Sequence, residues 1–317
     1  MISSAPILVR VSSPSRCKED SLTATVIICT RNRPAQLQKC LEAVARLTPP
    51  PDQVLVIDNS EGNSEIASLA QEFSARYVVE PVKGLSRARN RGLAECDTEI
   101  AAYLDDDAIP APDWLGILMA PFADKGIAAS AGKVVTPESR LDAVRNEAPR
   151  TLNNKNPLWF EIATFGGMGL GSNMALRRSA CIGRMLFDER LGRGAPFQIG
   201  EESYAFAQLL SRGYTAVYLP GAVVSHPPLR RDPVDLEARN SFAYWLLLFS
   251  SFPTQRMNLL RFIVRRLRRK PLTWDREPRE AGEIVTSGWR VLLKAGIQGL
   301  WLFLRTRRPK SAGGYRN

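Results

Sequence analysis

The sequence predicts an α/β fold, with a mostly parallel central sheet, helices on both faces, and a helical, basic C-terminal extension. Three observations predict it. Short β-branched runs alternate with helix-period segments from residue 23 to residue 227. Polar and charged residues follow the first four strands, as they do where an open sheet binds a ligand. The positive charge is confined to one end. From Arg230 to Asn317, 19 Lys and Arg stand against 7 Asp and Glu, a balance of +12 in a chain whose net charge is +11. The remainder therefore balances at −1 and is electrically ordinary.

Residues 1–20 read as a leader, without the charged start and apolar stretch of a secretory signal. Thr23–Cys29 (TATVIIC) is a continuous apolar run, the pattern of a strand buried on both faces. Pro34 opens a helix in which Leu37, Leu41, Val44 and Leu47 share one face, and the cluster Thr48–Pro51 ends it. Gln53–Asp58 (QVLVID) is the second strand, Ser64–Phe73 the second helix and Arg76–Glu80 the third strand. Leu85–Cys96 reads as a helix and Glu99–Leu104 (EIAAYL) as the fourth strand. A short helix near Trp114–Phe122 and a strand near Ile127–Val135 continue the rhythm. Residues 138–170 are irregular and rich in Gly, Asn and Pro, long enough for a functional loop. A strand at Asn173–Leu176, a helix at Glu201–Arg212 and a strand at Thr215–Leu219 complete the alternation, which stops near His226. The expected units are a leader (1–20), an α/β domain (21–230) and a basic helical extension (231–317).

Apolar residues at 44% and charged residues at 24% describe a globular chain and exclude a disordered one. Cys17, Cys29, Cys40, Cys96 and Cys181 lack the spacing of metal pairs and sit in apolar runs. They read as buried reduced thiols, and the expected location is cytoplasmic.

The strongest local signal is Asp105-Asp106-Asp107, directly after the fourth strand. Crowded carboxylates repel one another unless a cation neutralises them. Oxygen ligands of this kind suit Mg2+ or Mn2+, which take one or two carboxylates together with substrate phosphates. Alone, the triplet is equally an acidic turn capping the next helix. Its context decides, because Thr30 and Arg31 end the first strand, Asp58 ends the second, and Lys83–Asn90 follow the third. Four successive strands deliver polar groups to one rim, where a carboxylate can take ribose or base donors and cations can face a diphosphate.

In this order the motifs resemble the inverting glycosyltransferases of family 2, which have the GT-A fold, a Rossmann-like arrangement. The resemblance is carried by Val26–Pro34 (VIICTRNRP), Val56–Ser60 (VIDNS), Gly84–Gly92 (GLSRARNRG), Tyr103–Ala108 (YLDDDA), Asp113–Leu115 (DWL) and Gly200–Glu202 (GEE). It covers roughly residues 23–227. The resemblance implies that Thr30, Arg31 and Asp58 contact the nucleoside. It implies that Asp107 holds the metal on the diphosphate and that Asp105 or Asp106 lies near the ribose and sugar. Arg33, Arg87 and Asn90 are counted with them as nucleotide-sugar-binding residues. The family's acidic base, commonly in a Glu-Asp pair, corresponds here to Glu201-Glu202. By position Glu202 matches the base and Glu201 its neighbour, with Glu in place of Asp. The resemblance also makes His226, the single histidine, a metal ligand. The glycine-rich Gly166–Asn173 is expected to form a flexible wall of the donor or acceptor pocket. Trp159 and Trp114 are candidates to stack on sugar faces, with core packing favoured for Trp114.

The apolar runs Phe242–Phe252 and Val291–Leu304 are too short to span a bilayer. Between them, Arg261–Lys270 carries a cluster of arginines beside an apolar face of Leu259, Leu260, Phe262, Ile263 and Leu267. Two readings stand together. Either residues 241–310 contact an anionic membrane surface peripherally, on the inner face of the membrane, or the tail packs on the catalytic domain. Nucleic acid is not expected, since no nucleic-acid motif accompanies the charge.

The expected function is therefore metal-dependent, inverting transfer of a sugar from a UDP-, dTDP- or GDP-sugar to a hydroxyl acceptor. A lipid-linked acceptor in cell-surface polysaccharide or glycolipid synthesis fits the tail. One alternative, a sugar nucleotidylyltransferase, wants a glycine-rich loop after the first strand, and Thr30–Pro34 has no glycine. The other, a non-catalytic membrane-surface protein retaining the fold, predicts decay of an acidic rim that is present in full.

Overall fold

A computed structural model of the chain describes residues 22–137, 147–183, 185–228, 233–267 and 289–306. The leader with Cys17, the 230/231 boundary and the end of the arginine cluster at Arg268–Lys270 lie outside the described residues.

The elements run β1 (Ala24–Thr30), α1 (Pro34–Val44), β2 (Gln53–Asp58), α2 (Ser64–Glu72), β3 (Arg76–Val79), α3 (Leu85–Glu95) and β4 (Ile100–Asp105). They continue with β5 (Ile109–Pro110), α4 (Trp114–Met119), β6 (Ile127–Val135), β7 (Arg150–Leu152), α5 (Trp159–Thr164), β8 (Asn173–Arg177) and α6 (Arg178–Cys181). After these come α7 (Glu201–Ser211), β9 (Thr215–Ser225), α8 (Val234–Ser251), α9 (Arg256–Leu267) and α10 (Trp289–Arg305). The strands form one sheet in the order β3-β2-β1-β4-β8-β6-β9-β5, with β7 paired to β9. The pairings β1–β2, β1–β4, β2–β3 and β6–β9 are parallel, while β8 runs antiparallel between β4 and β6.

Both faces of the sheet are covered, which is why β1 is apolar without alternation. Ile27 and Cys29 point into a core shared with Leu55, Ile57, Tyr103 and residues of α3, α5, α7 and α8. Val26 and Ile28 point the other way, into a core with Leu37 and Leu41 of α1, Ile66 of α2 and Trp114 of α4. Trp114 is fully buried, and its indole N–H donates to Asn173 Oδ1 at 2.8 Å. Trp159 is buried too, edge-on to Phe160, so neither tryptophan offers a face to a sugar. The segment 138–170, expected to be irregular, contains β7 and α5. Both are under two turns or three residues long, too short for periodicity to reveal.

The register brings strand ends to one level. Thr30 pairs with Asp58, Asp58 with Val79, and Cys29 with Asp105. On the far side of the sheet, β6 and β9 pair Gly132 with Leu219 and then Lys133 with Val223. Three residues of β9 are thereby looped out against none of β6. This irregularity restores pairing for Val224 and Ser225 and carries the chain on to His226, whose N–H donates to the Val135 carbonyl at 2.8 Å.

Among the described residues, the tail packs on the body through α8 and α9. Ala243, Tyr244, Leu247 and Leu248 of α8 and Phe252 after it are buried, so one face of the apolar run Phe242–Phe252 is core. Tyr244 donates to the Thr164 carbonyl at 3.1 Å. From α9, Phe262 stacks on Phe165 with centroids 3.7 Å apart, and Arg265 pairs with the buried Glu161. Of the apolar face expected there, Leu259 and Phe262 are buried and Ile263 is half-buried, while Leu260 is exposed. α10 lies against α8, where a side chain at Gly299 would sit 2.7 Å from Phe242 Cβ and 2.9 Å from the Arg239 carbonyl. Among the described residues, no helix is long and apolar enough to cross a membrane.

A methyl group at Gly132 would lie 2.0 Å from the Ala222 carbonyl oxygen and 2.5 Å from the Asn173 amide nitrogen. That carbonyl is itself held in place, accepting from Asn173 Nδ2 at 2.8 Å, so it does not readily yield. Gly132→Ala is expected to destabilise the fold by about 1–3 kcal/mol or more. Urea unfolding of the two proteins measures this, and an unchanged midpoint would contradict the tight β6–β9 approach.

Candidate functional site

The chain turns as it leaves β4, the Ala108 N–H donating to the Asp105 carbonyl at 3.1 Å. Asp105 and Asp107 turn outward, half-buried, and Asp106 turns inward, 3% exposed. Asp106 accepts from Thr30 Oγ1 at 2.8 Å and from Arg33 Nη1 at 2.7 Å. Arg33 also reaches Asp107, with Nη2 2.6 Å from Oδ2. Asn32, at φ 54°, makes the left-handed turn that brings Arg33 back over the acidic residues, a conformation asparagine tolerates. Burial pushes the Asp106 carboxyl up to about 6, against the Thr30 hydrogen bond and the Arg33 charge. Burial works on Asp107 in the same sense, but hydrogen bonds from His226 and Arg33 prevail and hold it well below the usual carboxylate range.

His226 closes the group. Its Nε2 is 3.0 Å from Asp107 Oδ1 and 3.8 Å from Asp105 Oδ2. Asp105, Asp107 and His226 each offer a ligand atom, all within 4.8 Å of one another. The other ring nitrogen, Nδ1, lies 2.6 Å from the Pro227 carbonyl oxygen. A carbonyl can only accept, so Nδ1 carries a hydrogen. In the neutral ring Nε2 then presents a lone pair to Asp107, another acceptor. Only a positive charge satisfies that approach, either a second proton on the ring or a cation between the two atoms. The Asp107 hydrogen bond accordingly raises the imidazole's affinity for a proton, with burial opposing. A histidine whose other nitrogen donates to a carbonyl is also the usual form of a metal ligand. Two carboxylates and an imidazole suit Mn2+, and the carboxylates suit Mg2+ as well.

A second group lies behind the first. Arg89 of α3 is 2% exposed. Its Nη2 donates to Asp105 Oδ1 at 3.2 Å and its Nη1 to Glu201 Oε1 at 2.9 Å. Room for the guanidinium comes from Gly171, where a Cβ would lie 2.5 Å from Nη1. The glycine-rich Gly166–Asn173 thus packs on a buried cation. Gly200 starts α7 at φ 79°, and a Cβ there would meet the Tyr244 ring at 2.8 Å, so both conformation and space require glycine. Glu201 is buried and paired. Glu202 has no ion pair or side-chain hydrogen bond to another described residue. Burial first, and the neighbouring Glu201 charge second, raise its carboxyl well above the ordinary glutamate range.

The remaining sequence-nominated residues stand apart from these two groups. Asp58 is fully buried and accepts from Ser60 Oγ at 2.7 Å and Tyr77 OH at 2.8 Å. Arg31 donates to the Asn59 carbonyl. Arg87 pairs with Glu189 at 2.6 Å. Asn90 clamps the Phe187 backbone, donating to its carbonyl at 2.8 Å and accepting from its N–H at 3.1 Å. These last two tie α3 to the loop before α7. Sequence reasoning missed Arg89. Its signal was position: with Leu85, Gly92 and Leu93 it occupies the inward stripe of α3, where an arginine needs buried partners.

Sequence comparisons point to one family, and comparison with solved structures gives the same fold. The description of glycosyl transferase family 2 matches residues 25–182. The chain is 30% identical to the succinoglycan biosynthesis protein ExoM of Rhizobium meliloti, over 66% of this chain and 68% of that one. It is 33% identical to the glycosyltransferase AglE of Haloferax volcanii, over 35% of this chain, and spans 38% of AglE's length. Its fold is shared with the mannosyltransferase PcManGT of Pyrobaculum calidifontis, solved in complex with GDP-Man and Mn2+. That similarity has a TM-score of 0.56 at 16% identity and covers 92% of this chain and 77% of that one.

Removing Arg89 leaves Glu201 and Asp105 without their buried countercharge. Arg89→Met is expected to cost about 3–5 kcal/mol in urea unfolding. A loss below about 1 kcal/mol, the range of exposed pairs, would contradict the bridge.

Proposed function

The chain belongs to glycosyl transferase family 2, and from that premise we propose that it is a metal-dependent, inverting enzyme acting on a nucleotide-sugar donor and a hydroxyl acceptor. One observation carries the proposal. Asp105, Asp107 and His226 converge within 4.8 Å at the carboxyl ends of the strands, with a tautomer that asks for a cation at Nε2. A bound Mg2+ or Mn2+ would supply charge neutralisation for the donor's diphosphate as it departs. Asp107 and His226 would hold the ion, with Asp105 beside them. The nucleotide-sugar contacts proposed from the sequence are Thr30, Arg31, Arg33, Asp58, Arg87 and Asn90, together with Asp105 and Asp106. Of these, Arg33 is the cation already directed at the carboxylate pair.

Glu202 is the proposed base. It removes the acceptor hydroxyl proton as that oxygen attacks the anomeric carbon from the face opposite the nucleoside diphosphate, which leaves with the bonding pair. Its geometry supports this choice over Glu201, whose Oε1 is engaged by Arg89. Arg89 would position both sides of the reaction by gripping Asp105 and Glu201 together. The finer expectations belong to the same reading: a UDP-, dTDP- or GDP-sugar, a lipid-linked acceptor, and peripheral contact of the tail with the inner face of a membrane.

Calorimetric titration with UDP, GDP, CMP and dTDP, each with Mn2+ and with EDTA, tests the donor site. Tight binding of one nucleotide only with metal is expected, and Asp107→Ala is expected to abolish it. Binding that survives EDTA or the substitution would overturn the metal assignment. Glu202→Gln is expected to keep nucleotide binding and lower kcat by about 10²–10⁴-fold. A base must be deprotonated, so kcat/KM is expected to rise with pH through a limb displaced above the ordinary glutamate range, the direction in which burial and Glu201 move Glu202. A limb at the ordinary glutamate position would remove Glu202 from the role.

A further inference from the structure

Of the apolar segments in the basic tail, α8 turns its bulk into the core, whereas α10 does not. Leu293, Ile297, Leu300, Trp301 and Leu304 of α10 are each 46–63% exposed. Their spacing places them within one stripe about 100° wide over three turns. The opposite side, with Ala295, Gly299 and Phe303, is the side pressed on α8. The stripe is therefore no leftover of packing: the helix is fixed by its small face and presents its large one. At the edge of the stripe, the Arg305 guanidinium lies over the Trp301 ring, 4.9 Å from its centroid. α9 repeats the pattern on a smaller scale, with Met257, Leu260 and Val264 exposed beside Arg256 and Arg261.

We propose that the exposed stripe of α10, with the cations around it, is a docking surface for an anionic lipid bilayer, on which the helix lies in the interfacial plane. The apolar side chains would enter the headgroup boundary, and Trp301 with Arg305 would sit at headgroup level, one apolar and one charged. Charge selects this occupant. The last 88 residues, 230–317, carry a balance of +12, which attracts an anionic surface. The same charge opposes a second copy of the chain, whose face would bring an equal positive balance against it. No described helix is long and apolar enough to span, so the contact is one-sided. The surface deepens the membrane part of the reading above and rests on it for its use, although it binds lipid whether or not the donor site turns over.

Sedimentation of the full chain with phosphatidylcholine vesicles and with mixed phosphatidylcholine–phosphatidylglycerol vesicles tests it. The wild type is expected to bind the mixed vesicles and to be weakened by salt. The double variant Ile297→Gln, Trp301→Gln is expected to lose roughly tenfold or more in partitioning, as the loss of two large buried side chains implies. Both positions are solvent-facing, so the variant should keep its circular dichroism and its metal-dependent nucleotide binding, which separates this test from that of the donor site. Wild type that stays with neither vesicle, or a variant that binds as well as wild type, would overturn the proposal. So would a concentration-dependent dimer that the double variant abolishes, since the stripe would then be covered by a second copy.

Discussion

A single buried cation organises the site. Arg89 lies in the interior, gripping Asp105 at the end of β4 and Glu201 at the start of α7. Leaving any one of these charges buried without the others would be costly, so the three are bound to a common arrangement. That arrangement explains features around it that otherwise look unrelated. Gly171 gives the guanidinium space, and a Cβ at Gly192 would lie 3.1 Å from the Glu201 carboxyl carbon. Gly200 lets α7 begin against Tyr244 with Glu201 turned inward onto Arg89, while among the described residues Glu202 has no ion pair. The carboxylate proposed for proton removal is thus chosen by elimination within the pair: one glutamate is held by Arg89, the next is not.

The outer group depends on two local devices of the backbone. One is the turn that follows β4, closed by the Ala108 N–H on the Asp105 carbonyl, which sorts three consecutive aspartates into an outward pair and an inward single. The inward one, Asp106, ties the acidic turn to β1 through Thr30. The other is the irregularity in β9, which brings the chain's one histidine to the level of the aspartates from the far side of the sheet. Neither device places a charge without a partner. Arg33 and His226 stand against Asp106 and Asp107, and Arg89 stands against Asp105.

Much of this was legible in the sequence, for physical reasons that can be named. β2 is a short run rich in Val and Ile between clear breakers, and its ends fall where the pattern puts them. The rim was legible because strand ends announce themselves by a switch from apolar to charged residues. What sequence hid was direction. Three arginines in five residues of α3 look alike, yet Arg87 meets the loop at Glu189, Arg91 pairs along the helix with Glu95, and Arg89 turns inward. Asp58 reads like a rim carboxylate but is fully covered, engaged by Ser60 and Tyr77. In the tail, hydrophobic content alone did not separate α8 from α10. Only the packing partner tells which apolar face is core and which is surface.

The thiols hold a different kind of information. Cys29, Cys40, Cys96 and Cys181 are all buried and unbridged, and burial pushes the Cys29 thiol up to about 12. All four are shielded from an alkylating reagent by burial, so their reaction waits for the structure to open locally. Cys29 lies beside Asp105 in the β1–β4 register, and the Cys40 thiol points at the Asp105 carbonyl from α1. Cys181 is seated at the end of the short helix after β8, well along the chain from both. The protein therefore carries its own clocks: the rate at which Cys29 and Cys40 take up an alkylating agent reports how often the acidic rim breathes, and the rate at Cys181 reports the same for a separate part of the core.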